Sequence, residues 1–149
     1  MLKIFAFLAD IRRIDRAFVA AADRRNGEAL SILESLVTDR ARNDFDVTML
    51  RGALLSIVGR HKEALSSLVS AAQRVKRSKK LTNVEIEYLT AYLLQYWEQS
   101  AEQLGVKNVT TSERDALHIE GPIILSSVRN RLKKSFPLTA KFTGIQVLN

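Results

Sequence analysis

The chain has 149 residues, 46% of them hydrophobic and 26% charged, with a net charge of +7 and no cysteine. A chain of this size buries about two thirds of its unfolded surface as one domain, and an apolar content near half with only two prolines describes a helix-rich globule, not a disordered chain. The missing cysteine excludes disulfides and thiolate metal sites, which fits a reducing, cytoplasmic compartment.

The opening MLKIFAFLADIRRIDR starts like a signal peptide. Asp10, Arg12 and Arg13 interrupt it before any small-residue cleavage site, so it reads as the first turns of a helix. The spacing predicts a helix from Leu2 to Arg24 whose buried stripe is Ile4, Leu8, Ile11, Ile14, Phe18 and Ala22. Asn26-Gly27 is expected to end it. A second helix is expected from Glu28 to Arg40, burying Ala29, Leu33, Leu36 and Val37. Asp44 or Asp46 should cap a third, running to Gly59, and a fourth spans His61 to Arg77.

Thr82-x-x-Glu85 has the spacing of a capping box and opens a long helix that runs to Leu104, before Gly105. Two apolar stripes on it, Ile86, Leu89, Leu93, Trp97 and Val84, Tyr88, Tyr92, Tyr96, predict burial between two layers. The tyrosines are read as core; a tyrosine ladder can alternatively stack bases. Residues 112–136 are expected to form C-terminal helices, a short one capped by Ser112 and a final one after Gly121-Pro122, followed by a tail at 137–149. No apolar run is long enough to span a bilayer, and no membrane partner is expected.

Residues 1–73 carry 11 basic and 9 acidic residues and residues 74–149 carry 12 and 7, so the charge is concentrated in the second half. Its two clusters are Arg74, Lys76, Arg77, Lys79, Lys80 and Arg129, Arg131, Lys133, Lys134. Such clusters attract polyanions, but cations at helix C-termini also offset the macrodipole.

The chain repeats itself at an offset of 35 residues: Arg16, Arg25, Glu28, Ala29, Leu30, Ser31, Leu33 and Ser35 recur as Arg51, Arg60, Glu63, Ala64, Leu65, Ser66, Leu68 and Ser70. Eight identities between these segments compare with roughly one or two at average residue usage. In the second copy Gly52, Gly59, Glu63-Ala64, Leu68 and Ala71 stand at helical-hairpin positions, and Ala17, Glu28-Ala29 and Leu33 repeat part of this in the first.

With these residues the segment from about Ile11 to Arg77 resembles the tetratricopeptide repeat family, although Arg13 and Thr48 replace its usual aromatic and no proline closes either unit. The resemblance implies an all-α fold of antiparallel helical hairpins at 11–77, stacked as a short right-handed array. The long helix at 82–104 and the C-terminal helices then complete a single domain. It also implies a groove lined by the first helix of each hairpin, at Ile14 and Phe18 in one unit and Met49, Ala53 and Ile57 in the other.

Catalytic chemistry has little to stand on. His61 and His118 are the two histidines, no H-x-x-x-H or H-E-x-x-H spacing occurs, and the six glycines are isolated from one another. Ser66, Ser67 and Ser70 are expected to bond back to the helix backbone. No enzymatic activity, metal or cofactor is therefore expected, and a small-molecule substrate is disfavoured. The expected role is a protein-binding scaffold, adaptor or chaperone-like module that holds an amphipathic helix or a second copy of itself. The alternative is a nucleic-acid-binding regulator using the clusters at 74–80 and 129–134.

Overall fold

A computed structural model describes residues 2–105 and 111–118, and every regular element among them is helical. The elements are α1 (Leu2–Ala22), α2 (Asn26–Glu34), α3 (Asp39–Arg42), α4 (Phe45–Ile57), α5 (His61–Arg77), α6 (Asn83–Leu104) and α7 (Thr111–Leu117). The helix expected after Pro122 and the tail at 137–149 lie outside the described residues. Helices α1 and α2 pack as one hairpin and α4 and α5 as another, joined by α2 against α4; α6 lies along α5 and α4, and α7 lies on α5 and α6.

The two hairpins turn in the same way. After α1, Arg24 has φ 62° and Arg25 N–H reaches back to Ala20 O at 2.8 Å; after α4, Gly59 has φ 89° and Arg60 N–H reaches Leu55 O at 2.9 Å. These are the six-to-one bonds of a Schellman stop, displaced by 35 residues. The residue that opens the next helix is also the same in both: Arg25 at φ −85°, ψ 63° and Arg60 at φ −84°, ψ 63°. Each arginine then grips the glutamate three residues on, Glu28 at 2.6 Å and Glu63 at 2.7 Å. The first turn is thus made by Arg24 in a left-handed conformation and not by Asn26-Gly27, which fall inside α2. A third close approach explains Gly52, where an added Cβ would sit 3.1 Å from Leu68 Cδ2.

The second expected helix is broken in two. Helix α2 stops at Glu34 and α3 begins at Asp39, so Val37 is 59% exposed instead of buried. The cause lies on α1, where the Asp10 side chain is fully buried. Its carboxylate accepts Thr38 N–H at 2.8 Å, the Thr38 hydroxyl at 2.8 Å, Val37 N–H at 3.1 Å and Arg13 Nη1 at 2.8 Å. Thr38 in turn caps α3 by accepting Ala41 N–H, and Arg42 Nε donates to Leu36 O at 2.9 Å. The corner's backbone groups are satisfied from α1 on one side and from α3 on the other. In the second unit the equivalent positions are Ala71, Ala72 and Gln73, strong helix formers where the first has Leu36, Val37 and Thr38, and α5 runs through to Arg77.

Helix α4 is capped by Asp44, whose carboxylate accepts Asp46 N–H at 2.9 Å. Helix α6 is opened by the complete Thr82/Glu85 capping box and closed at Gly105, φ 67°. It buries Tyr88, Leu89, Tyr92, Leu93, Tyr96 and Trp97. Tyr92 and Tyr96 meet edge to face, with centroids 5.2 Å apart. Burial pushes the Tyr96 phenol up to about 12.

Two outcomes follow from these geometries. Burial alone would raise the Asp10 carboxyl, but the Thr38 and Val37 bonds and Arg13 hold it at about 2 against an ordinary 3.8. Its contribution is therefore full above pH 3.8 and is lost as pH falls towards about 2. Asp10→Asn, which sets an amide N–H₂ among donors, should lower stability by about 2 kcal/mol at neutral pH and flatten that acid limb in urea titrations. Arg24→Gly relieves a left-handed arginine and should raise stability by about 0.5–1 kcal/mol, whereas Gly59→Ala should lower it by about 1 kcal/mol; thermal melts read both.

Candidate functional site

The groove expected from the first helices is not open. Ile14, Phe18, Met49 and Ala53 are buried in the core, and Ile57 is half-buried against it. On α4 the cover is α6, held there by a chain of hydroxyls. The Ser56 hydroxyl donates to Tyr96 O at 2.9 Å, the Ser100 hydroxyl donates to Ser56 Oγ at 2.7 Å, and His61 Nδ1 lies 2.9 Å from Ser100 Oγ. Since both serine protons are directed onward, the imidazole completes the chain as an Nδ1–H donor. His61 thus ties the start of α5 to α6. Neither serine hydroxyl is exposed to act as a nucleophile.

The accessible apolar surface of α1 lies on its N-terminal half, where Ile4 and Ile11 continue the stripe of buried Phe18. Ile4, Phe5, Leu8 and Ile11 are 63%, 65%, 50% and 39% exposed, although Ile4, Leu8 and Ile11 were expected in the core-facing stripe. The seam that packs is Asp10, Ile14, Ala17, Phe18 and Ala21, all from Asp10 onward. With nine residues, α2 is too short to flank all 21 of α1. The first turns of α1 are instead braced on one side by the Asp10 corner. There Arg40 lies over the Phe7 ring, 4.2 Å from its centroid. A cavity of about 550 Å³ opens between them, walled by Ile4, Phe7 and Val37 and rimmed by Lys3 and Arg40.

Charge around this face is mostly positive. Lys3, Arg12, Arg16 and Arg40 are exposed, against the exposed carboxylates Asp15 and Asp39. Arg13 is taken up by Asp10.

The predicted basic residues are partly engaged. Lys76 Nζ donates to the carbonyls of Asp115 and His118, the latter at 3.0 Å, and so closes the C-terminal end of α7. Arg74 Nη1 donates to Thr48 Oγ1 at 2.9 Å, while Arg77, Lys79 and Lys80 are exposed. Arg129, Arg131, Lys133 and Lys134 lie outside the described residues. Tyr88, Tyr92 and Tyr96 are buried and present no face to a base. Among the described residues no helix is long and apolar enough to cross a membrane, and no three His, Cys, Asp or Glu side chains gather as metal ligands.

Comparison with known protein families, with curated proteins and with solved structures finds no match to this chain.

The two halves of α1 should respond differently to substitution. Leu8→Glu should leave the stability of the isolated chain within about 0.5 kcal/mol of wild type, whereas Phe18→Ala should cost about 3–5 kcal/mol; calorimetry of the pair checks the assignment.

Proposed function

We propose that the chain is a non-enzymatic helical-hairpin scaffold of tetratricopeptide-like design that receives an amphipathic helix with acidic flanks on the exposed N-terminal half of α1. The observation that carries this reading is the row of exposed Ile4, Phe5, Leu8 and Ile11 at helical spacing, on a helix whose later turns are already packed. Four large apolar side chains on one face form the kind of contiguous patch that marks an interaction surface. Helix-in-groove recognition uses such spacings as anchors, and the cavity beside Phe7 and Val37 supplies a recess for one of them.

The sign of the charge selects among occupants. Lys3, Arg12, Arg16 and Arg40 flank the apolar row, so a second copy laid on it would bring like charges together, while acidic flanks would be complementary. The hairpin reading rests on the two turns that share their bonds and dihedral angles at a spacing of 35 residues.

A fluorescein-labelled helical peptide with a leucine face and glutamate flanks tests the proposal by anisotropy. Saturable binding, weakened at least tenfold by Leu8→Glu and by exchanging the peptide's glutamates for lysines, is the expected result. Absence of binding, or binding indifferent to both changes, would overturn it. Concentration-dependent dimers abolished by Leu8→Glu would assign the face to a second copy. Recovery on anionic vesicles with the same sensitivity would assign it to a lipid surface. Salt-dependent capture of a single-stranded oligonucleotide, lost on Lys79→Gln/Lys80→Gln, would favour the nucleic-acid alternative.

A further inference from the structure

On the other side of the α4–α5 hairpin a smaller recess of about 250 Å³ opens beside the α3–α4 turn. Arg42 enters it from the end of α3, Thr48 and Arg51 from α4, and Ser66, Ser67 and Ser70 from α5. The serines stand at i, i+1 and i+4, which puts Ser66 and Ser70 one above the other on the helix. They were expected to bond back to the backbone, yet among the described residues none of the three hydroxyls has a hydrogen-bond partner. The Arg51 guanidinium likewise makes no hydrogen bond or ion pair there.

The recess is cationic and rich in donors. No carboxylate lines it. Of the nearby acids, Asp44 is committed to the N–H groups of Asp46 and Val47, Glu63 is clamped by Arg60, and Asp39 stands 3.7 Å from Arg42 Nη1. Glu63 feels the Arg51 charge only at longer range. Arg42 is steered by its Nε bond to Leu36 O, which leaves the rest of its fork available. At the rim Arg74 is held by Thr48 Oγ1, adding a third guanidinium. Forked arginines and hydroxyl donors around a small concave space match a tetrahedral oxyanion.

We infer that this recess binds the terminal phosphoryl group of a phosphate monoester. A monoester presents three terminal oxygens and close to two negative charges near neutral pH, enough to engage the Arg51 guanidinium, the remaining donors of Arg42 and the serine hydroxyls together. A phosphodiester has one charge and two substituents to place, and a recess of about 250 Å³ with donors on several walls does not suit it. The group can arrive on a small molecule or on a phosphorylated side chain, since the recognised chemistry is the same.

Calorimetric titration of the full chain with inorganic phosphate, O-phosphoserine and dimethyl phosphate decides the matter. Saturable binding of the first two is expected, weakened at least tenfold by Arg51→Gln and by the joint Ser66→Ala/Ser70→Ala change, and untouched by Lys79→Gln/Lys80→Gln. Because the second phosphate ionisation lies near pH 6, binding should also weaken below about pH 6. O-phosphoserine should bind at least as tightly as inorganic phosphate, and the reverse order would overturn the monoester in favour of a free anion. No saturation up to about 20 mM of either, equal binding of dimethyl phosphate, or loss on the Lys79/Lys80 pair in place of the recess variants would overturn the site. Arg51→Gln removes only the long-range charge felt by Glu63, and the serine changes remove no hydrogen bond among the described residues, so unchanged circular dichroism is expected of both, and either alone suffices for the test.

Discussion

A single buried carboxylate sets the asymmetry of this molecule. Asp10 sits on the packed face of α1 with its side chain out of contact with solvent, and four donors converge on it. A charge buried without such partners would be strongly destabilising; with them, it fixes the chain at Val37 and Thr38 against α1. The corner ends α2 after nine residues and starts α3 in a new direction. As a result, among the described residues only the short α3 continues alongside the start of α1, and the row Ile4, Phe5, Leu8 and Ile11 is exposed.

The second hairpin shows what the first would have been without that corner. Both begin from the same stop, with the sixth residue bonded back to the first and an arginine gripping the glutamate three positions later. In the second unit alanines continue the helix, α5 extends to Arg77, and α6 packs along it. The tyrosine-rich core of α6 and the His61, Ser100, Ser56 chain then close that side. Among the described residues, α6 thus seals one end while the first turns of α1 stay exposed at the other.

Local signals were legible in the sequence. The Thr82/Glu85 box, the Asp44 cap and the stops at Gly59 and Gly105 depend on residues within one turn of each other, and all stand where the sequence placed them. What escaped prediction depends on contacts across the fold. Asp10 reads in isolation as a polar interruption of an apolar run, and its meaning comes from donors 27 and 28 residues away. Val37-Thr38-Asp39, β-branched residues before an acidic first turn, did carry a hint of a new cap, but the apolar period ran over it. Ile4, Leu8 and Ile11 were placed inside because the apolar period runs on through Ile14 and Phe18, and a period does not tell how far along α1 its packing neighbours extend. The groove residues were correctly apolar, but a pattern does not distinguish a surface that awaits a helix from one that α6 already covers.

Amide hydrogen exchange resolved along α1 of the free chain examines this asymmetry directly. Residues Ile14–Ala21, seated in the core, should exchange only through large-scale opening, whereas Ile4–Ala9, beyond the reach of α2, should exchange markedly faster through local fraying. Equal protection along the whole helix would contradict an uncovered, unsupported first half and with it the recognition surface placed there.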